Sequence, residues 1–168
     1  AAPPISMLNF AQFGAGRIGT IHAANLASSR AAQLHYVIDV DATAATALAA
    51  RHGARVADAA TALGDPAVGA VIIASSTDTH AELIIAAARA GKAIFCEKPI
   101  DLSLKRVDTC LAAVKKAGVP LLIGFNRRFD PSFSALQARL GGDRFEVLAV
   151  SADRQGFPVV EKFYAEEK

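Results

Sequence analysis

The sequence predicts an α/β fold: a doubly wound parallel sheet with helices on both faces, followed by a short stub of a second α+β unit. Three observations carry this. Short apolar runs alternate with helix-spaced segments of about 10 to 15 residues, the pattern of successive βαβ units. The run Ala70–Ala74 (AVIIA) is continuously apolar, as in a strand buried on both faces. Glycine, proline and aspartate fall where such elements should start and stop, and right-handed crossovers then wind the chain both ways from the middle of the sheet.

Element by element, Leu8–Phe13 (LNFAQF) is a strand stopped by Gly14. Arg17–Ala27 has helical spacing, with Ile18, Ile21, Ala24 and Leu26 apolar. Leu34–Val40 is a second strand, and Ala42–His52 an alanine-rich helix closed by Gly53 and capped by Asp41. Ala54–Val56 is a brief third strand, and Asp58 caps a short helix after it. Ala70–Ala74 is the fourth strand, Thr79–Ala90 a helix ending at Gly91, and Ala93–Cys96 the fifth strand. Ser103–Ala117 is a helix ending at Gly118, and Pro120–Gly124 the sixth strand. Asp130-Pro131 opens a helix to Leu140, as an N-cap followed by proline at the first helical position. Arg144–Ser151 alternates differently and reads as the first strand of another sheet. The expected division is therefore residues 7–140 and residues 141–168, the latter a truncated start of a sheet domain or an irregular tail.

Composition narrows the function classes. At 168 residues, with 52% hydrophobic and 20% charged, the chain is too apolar for disorder. A net charge of +2, scattered along the chain, argues against nucleic acid or a membrane surface as partner. Cys96 and Cys110 alone make neither a disulfide framework nor a zinc site, so no metal is expected and both read as buried thiols in a reducing compartment. The start AAPPISMLNF lacks the marks of a secretory signal, and no apolar run reaches the roughly 18 residues of a membrane span. A cytoplasmic location is expected.

The chemistry sits at the ends of the predicted strands. Gly14-Ala15-Gly16-Arg17-Ile18-Gly19 is a G-x-G-x-x-G between a strand and a helix. The first glycine permits a tight turn, the second lets a diphosphate approach the backbone, and the third lets helix and strand pack closely. The helix N-terminus then supplies free N–H groups and partial positive charge. Asp39 follows Gly19 by the spacing expected of a carboxylate that holds the adenosine ribose, and no arginine follows it to accept a 2′-phosphate; NAD rather than NADP is expected. Ser75, Ser76, Thr77, Asp78, Thr79 and His80 follow the fourth strand. Their hydroxyls suit either a nicotinamide ribose or helix capping, and His80 is either a cofactor neighbour or a first-turn helix residue. Glu97-Lys98-Pro99 follows the fifth strand, so Lys98 points at the crevice, where it can hold a substrate hydroxyl or pass its proton, with Glu97 favouring its charge. Asn126, Arg127 and Arg128 follow the sixth strand and can grip a polyol or a carboxamide.

Taken together, GAGRIGTIHAANL, VIDVD, STDTH, AGKAIFCEKPIDLSLKRVDTCL and GFNRRFDPSF resemble the glucose-fructose oxidoreductase and inositol dehydrogenase family, nearest its bacterial inositol 2-dehydrogenases, over about residues 7 to 140. The resemblance implies a Rossmann domain followed by a domain built on a large, mostly antiparallel sheet. It implies oxidation of a ring hydroxyl of myo-inositol or a related sugar or polyol, with hydride passing to NAD. It makes Lys98 the catalytic lysine. It places Gly14, Ala15, Gly16, Arg17, Ile18, Gly19 and Asp39 on the dinucleotide, Ser75, Ser76, His80 and Glu97 around the diphosphate and nicotinamide ribose, and Asn126 and Arg127 near the nicotinamide and substrate. It also implies a homo-oligomer. Two departures stand out. Relatives often carry Thr-Pro at Ser75-Ser76. The family's D-x-x-x-H acid–base motif has no counterpart after Lys98, since His22, His35, His52 and His80 are all upstream. The alternative expectation is thus a non-catalytic NAD-binding module or an inactive truncated product.

Overall fold

The structure, a computed structural model, describes residues 7–126 and 131–132. The chain divides into two compact units, Ala1–Phe125 and Asn126–Lys168. The helix expected to Leu140, the strand expected over Arg144–Ser151 and the proposed stub fall outside the described residues, apart from Pro131 and Ser132.

The first unit alternates strand and helix throughout: β1 Leu8–Phe13, α1 Arg17–Ser28, β2 Ala32–Ile38, α2 Ala42–His52, β3 Arg55–Val56, α3 Ala59–Gly64, β4 Val68–Ile73, α4 Thr77–Arg89, β5 Ala93–Cys96, α5 Leu104–Ala117 and β6 Leu121–Ile123. All neighbouring strands pair in parallel, in the order β3-β2-β1-β4-β5-β6. The chain starts in the middle, winds outward through β2 and β3, returns to β4 and winds the other way. The order therefore reverses between β1 and β4, where an open α/β sheet leaves a crevice at the strands' carboxyl ends.

Alternation of side chains along each strand builds a core on both faces. On β4, Val71 and Ile73 join a cluster with Ala81, Ile84, Ala87, Cys96, Cys110 and Val114, under α4 and α5. Ile72 points the opposite way, into a cluster with Ala23, Leu26, Val37, Ala45 and Leu48, under α1 and α2. Burying a leucine- or isoleucine-sized side chain contributes about 1.5–3 kcal/mol, which explains why the central strands are the most apolar. Asp41 caps α2 by accepting from the Thr43 and Ala44 amides at 2.9 and 3.1 Å, and Asp58 caps α3 by accepting from Thr61 at 2.7 Å.

Several element boundaries shift from the sequence expectation. β2 begins and ends two residues earlier, so that Asp39 and Val40 lie beyond the strand. β4 also starts two residues earlier, because Val68 pairs with Asn9 of β1, with Gly69 at the register shift that follows, a contact no local pattern encodes. Helix α4 begins at Thr77, and its N-cap Ser76 makes no side-chain cap bond; neither Thr77 nor Asp78 is the cap.

Candidate functional site

The glycine loop after β1 sits at the sheet's switch point. Gly14 has φ +104°, and a Cβ there would lie 2.4 Å from the Ala74 carbonyl oxygen, so glycine is required on conformational and steric grounds alike. A Cβ on Gly19 would lie 2.1 Å from the Gly14 carbonyl oxygen and 2.9 Å from Gln12 Nε2. This helix is pressed directly onto the loop that precedes it. Gly16 is different: nothing lies within 4 Å of a Cβ built there. The missing side chain leaves open space above the loop rather than relieving a clash inside the protein. Gly16 is also the N-cap of α1, with no side-chain cap bond and no acidic residue in the first turn, so the leading N–H groups of α1 are left for an external acceptor. Gly16 and Arg17 are exposed, Ile18 half-buried, and Ala15 buried.

Asp39, just beyond β2, turns back onto the glycine loop. Its Oδ2 accepts from the Ala15 amide at 2.6 Å, and its Oδ1 from the Asp41 amide at 2.8 Å. Two backbone donors hold the carboxylate in one orientation beside the glycine loop, and each oxygen keeps a further lone pair for a sugar hydroxyl.

Gln12, which the sequence analysis passed over, braces the loop from below. It is fully buried on the central strand and donates from Nε2 to the Gly14 carbonyl at 2.8 Å and the Gly19 carbonyl at 3.0 Å. A polar residue set between apolar ones in the buried second half of the strand, two before the first glycine, was the available signal.

Beyond β4, the Ser75 and Thr79 hydroxyls share a hydrogen bond of 2.7 Å. Ser76 is exposed. His80 is 2% exposed, in the first turn of α4. Its Nδ1 faces the Pro99 carbonyl at 2.8 Å and its Nε2 the Ser75 carbonyl at 3.1 Å. Carbonyls only accept, so the ring nitrogen that carries the proton is the donor, and His80 lies between the loops after β4 and β5.

Beyond β5, Glu97 and Lys98 part company. The Glu97 carboxylate takes a hydrogen bond from His22 Nε2 at 2.8 Å instead of standing beside the Lys98 charge. Both residues lie just past the end of β5, where the chain bends at Lys98. Lys98 is exposed, and its side chain has no hydrogen-bonding or charged partner among the described residues. The Lys98–Pro99 peptide is cis. Asn126 is exposed and belongs to the second unit, and Arg127 lies outside the described residues.

With this geometry in place, comparison with known proteins is direct. The model of the GFO/IDH/MocA family, described as an oxidoreductase family with an NAD-binding Rossmann fold, matches residues 8–125. The chain belongs to this family. An inositol 2-dehydrogenase of Rhizobium meliloti (strain 1021) is 43% identical over 159 residues, covering 92% of this chain and 48% of the relative. A myo-inositol dehydrogenase structure from Corynebacterium glutamicum aligns with a TM-score of 0.72 at 39% identity, covering 79% of this chain and 40% of that one. A scyllo-inositol dehydrogenase structure from Lactobacillus casei, with bound NAD(H) and scyllo-inositol, aligns with a TM-score of 0.74 at 27% identity, covering 81% of this chain and 43% of that one. The chain spans about half the length of the curated relatives it matches.

The family's NAD-binding character agrees with the chemistry of the loop. Gly16 offers open space, α1 free amides, and Asp39 a carboxylate oriented by two backbone donors. The nearby Cys96 thiol is fully buried beneath this site, and burial, with the Glu97 charge second, pushes its pKa up to about 12. It is a packing residue. Away from the site, Tyr36 donates to Asp65 at 2.9 Å, which raises the phenol, while the Ala67 amide and then the Tyr36 hydroxyl hold the Asp65 carboxyl below its usual range.

Proposed function

We propose that this chain is the dinucleotide-binding half of an NAD-dependent dehydrogenase that oxidises a ring hydroxyl of myo-inositol or a related polyol. The observation that carries the reading is the arrangement at the switch point: an open Gly16, an uncapped α1 and an Asp39 carboxylate fixed by the Ala15 and Asp41 amides. The names of the relatives give the substrate class. The bound nicotinamide supplies the hydride acceptor. The chain's own residues hold it and position the alcohol: the first turn of α1 takes the diphosphate, and Asp39 takes the adenosine ribose and disfavours a 2′-phosphate by like charge. Lys98, exposed after β5 and without a partner among the described residues, holds the reacting oxygen and relays the hydroxyl proton towards solvent as the carbon loses hydride. Asn126 and Arg127 act on the carboxamide and substrate in this reading. The protein is cytoplasmic and self-associating.

Titration calorimetry with NAD and NADP tests the cofactor assignment. Saturable NAD binding, at least tenfold tighter than NADP, is expected; equal or reversed preference refutes it. Absorbance of the reduced nicotinamide, with myo-inositol added, tests the reaction. Turnover abolished by Lys98→Ala supports the dehydrogenase, whereas NAD binding without turnover makes this chain a binding module.

A further inference from the structure

We propose that His22 is a positioning residue: it fixes the Glu97 carboxylate at the nicotinamide half of the cleft, joining the phosphate-holding helix to the strand end that carries Lys98. The inference rests on the dinucleotide reading above.

His22 lies in the second turn of α1, three residues beyond Gly19 and on the same sheet-facing side as the buried Gly19, Ala23 and Leu26. Its ring meets the Phe95 ring edge-on, with centroids 4.9 Å apart, and its Nε2 reaches Glu97 Oε1 at 2.8 Å. A carboxylate only accepts, so Nε2 carries the proton. Glu97 is restrained from two further directions. Its amide donates to the Ile73 carbonyl at 2.8 Å. A Cβ on Gly124 would stand 3.2 Å from the Glu97 carboxyl carbon and Oε1, so Gly124 leaves just enough room for this rotamer. Both partners keep about a fifth of their side-chain surface, 18% for His22 and 22% for Glu97, so the pair borders the cleft.

The position in the sheet supplies the function. Asp39 marks the adenosine half, on the β2 side of the switch point; β4 and β5 lie on the other side, under the half that carries the nicotinamide. The His22–Glu97 bond thus runs from the helix that receives the diphosphate to the residue next to Lys98. A Glu97 released from His22 has the Lys98 ammonium as its neighbour in sequence, and pairing between them would draw that ammonium away from the substrate. No other described residue spans these two elements with a side-chain hydrogen bond.

The test compares two ligands by calorimetry: NAD, and ADP, which lacks the nicotinamide and its ribose. His22→Leu should weaken NAD about tenfold, the scale of one lost charge-assisted hydrogen bond, and leave ADP within about twofold. His22→Gln, which keeps an N–H donor, should recover most of the loss. His22→Leu with Glu97→Gln should be no weaker than His22→Leu alone, because the two act as one unit. A purely structural role would weaken both ligands alike. Unchanged NAD affinity in His22→Leu, or parallel loss of NAD and ADP, overturns the inference while leaving the NAD reading intact. Failure of the unaltered chain to bind NAD overturns both. Should His22→Leu not fold, Glu97→Gln carries the test, with the same split between ligands expected and the same outcomes refuting it.

Discussion

Replacing each fingerprint glycine by alanine separates the fold from the ligand, because the three positions are crowded by different things. At Gly19 the added Cβ would stand 2.1 Å from the Gly14 carbonyl oxygen, well over an ångström inside ordinary contact. The obstructing atom is backbone, so it cannot swing aside. Overpacking of this kind costs about 3 kcal/mol, offset by about 1 kcal/mol for alanine over glycine within a helix, leaving a net loss of about 2 kcal/mol. For a domain of this size that lowers Tm by roughly 6 °C. At Gly16 the Cβ meets nothing within 4 Å, and φ −72° with ψ −166° suits any L-residue. The fold should then change by less than about 0.5 kcal/mol. On the proposed dinucleotide reading the methyl group instead fills the space left for a diphosphate, and NAD affinity should fall at least about tenfold, as expected where a clash replaces close backbone approach. Thermal melts without ligand and calorimetry with NAD measure the two effects separately. Gly16→Ala binding NAD as tightly as the unaltered chain, or Gly19→Ala melting at the unaltered temperature, would refute the assignment of the loop.

Two further outcomes follow from the same geometry. Asp39→Asn removes the charge that two backbone amides orient, so NAD affinity should fall and the NAD-to-NADP preference narrow about tenfold in titrations with both cofactors, charge-assisted hydrogen bonds being about twice as strong as neutral ones. Cys96 should resist iodoacetamide at pH 8 in the native state and react only on unfolding, since its thiol is fully buried with a pKa of about 12 against an ordinary 9.0. The native state holds that proton more tightly than the unfolded chain, so this contribution to stability is intact below pH 9 and is lost as pH rises towards 12. Denaturant melts across that range should show it, and a Cys96→Ala variant with an unchanged alkaline slope would contradict it.

Local signals made much of this protein legible in its sequence. Gly14 marks a turn that only a residue without a Cβ can make, Asp41 is a capping carboxylate directly before an alanine-rich helix, and AVIIA is apolar enough to be buried on both faces. Each states a constraint met within a few residues, and so the order of elements and the tight glycine turn after β1 could be read directly. Boundaries set by pairing could not: β4 gains Val68 and Gly69 because β1 lies alongside. The environment of the site depended on distance along the chain. Asp39 reaches back 24 residues to the Ala15 amide, and His22 meets Glu97 across 75. The sequence by itself determined which residues could turn, cap or carry charge. Only the tertiary structure decided that Glu97 answers to His22 and leaves Lys98 without a partner among the described residues, because the packing of α1 on the sheet, and no local rule, brings the His22 ring to the end of β5.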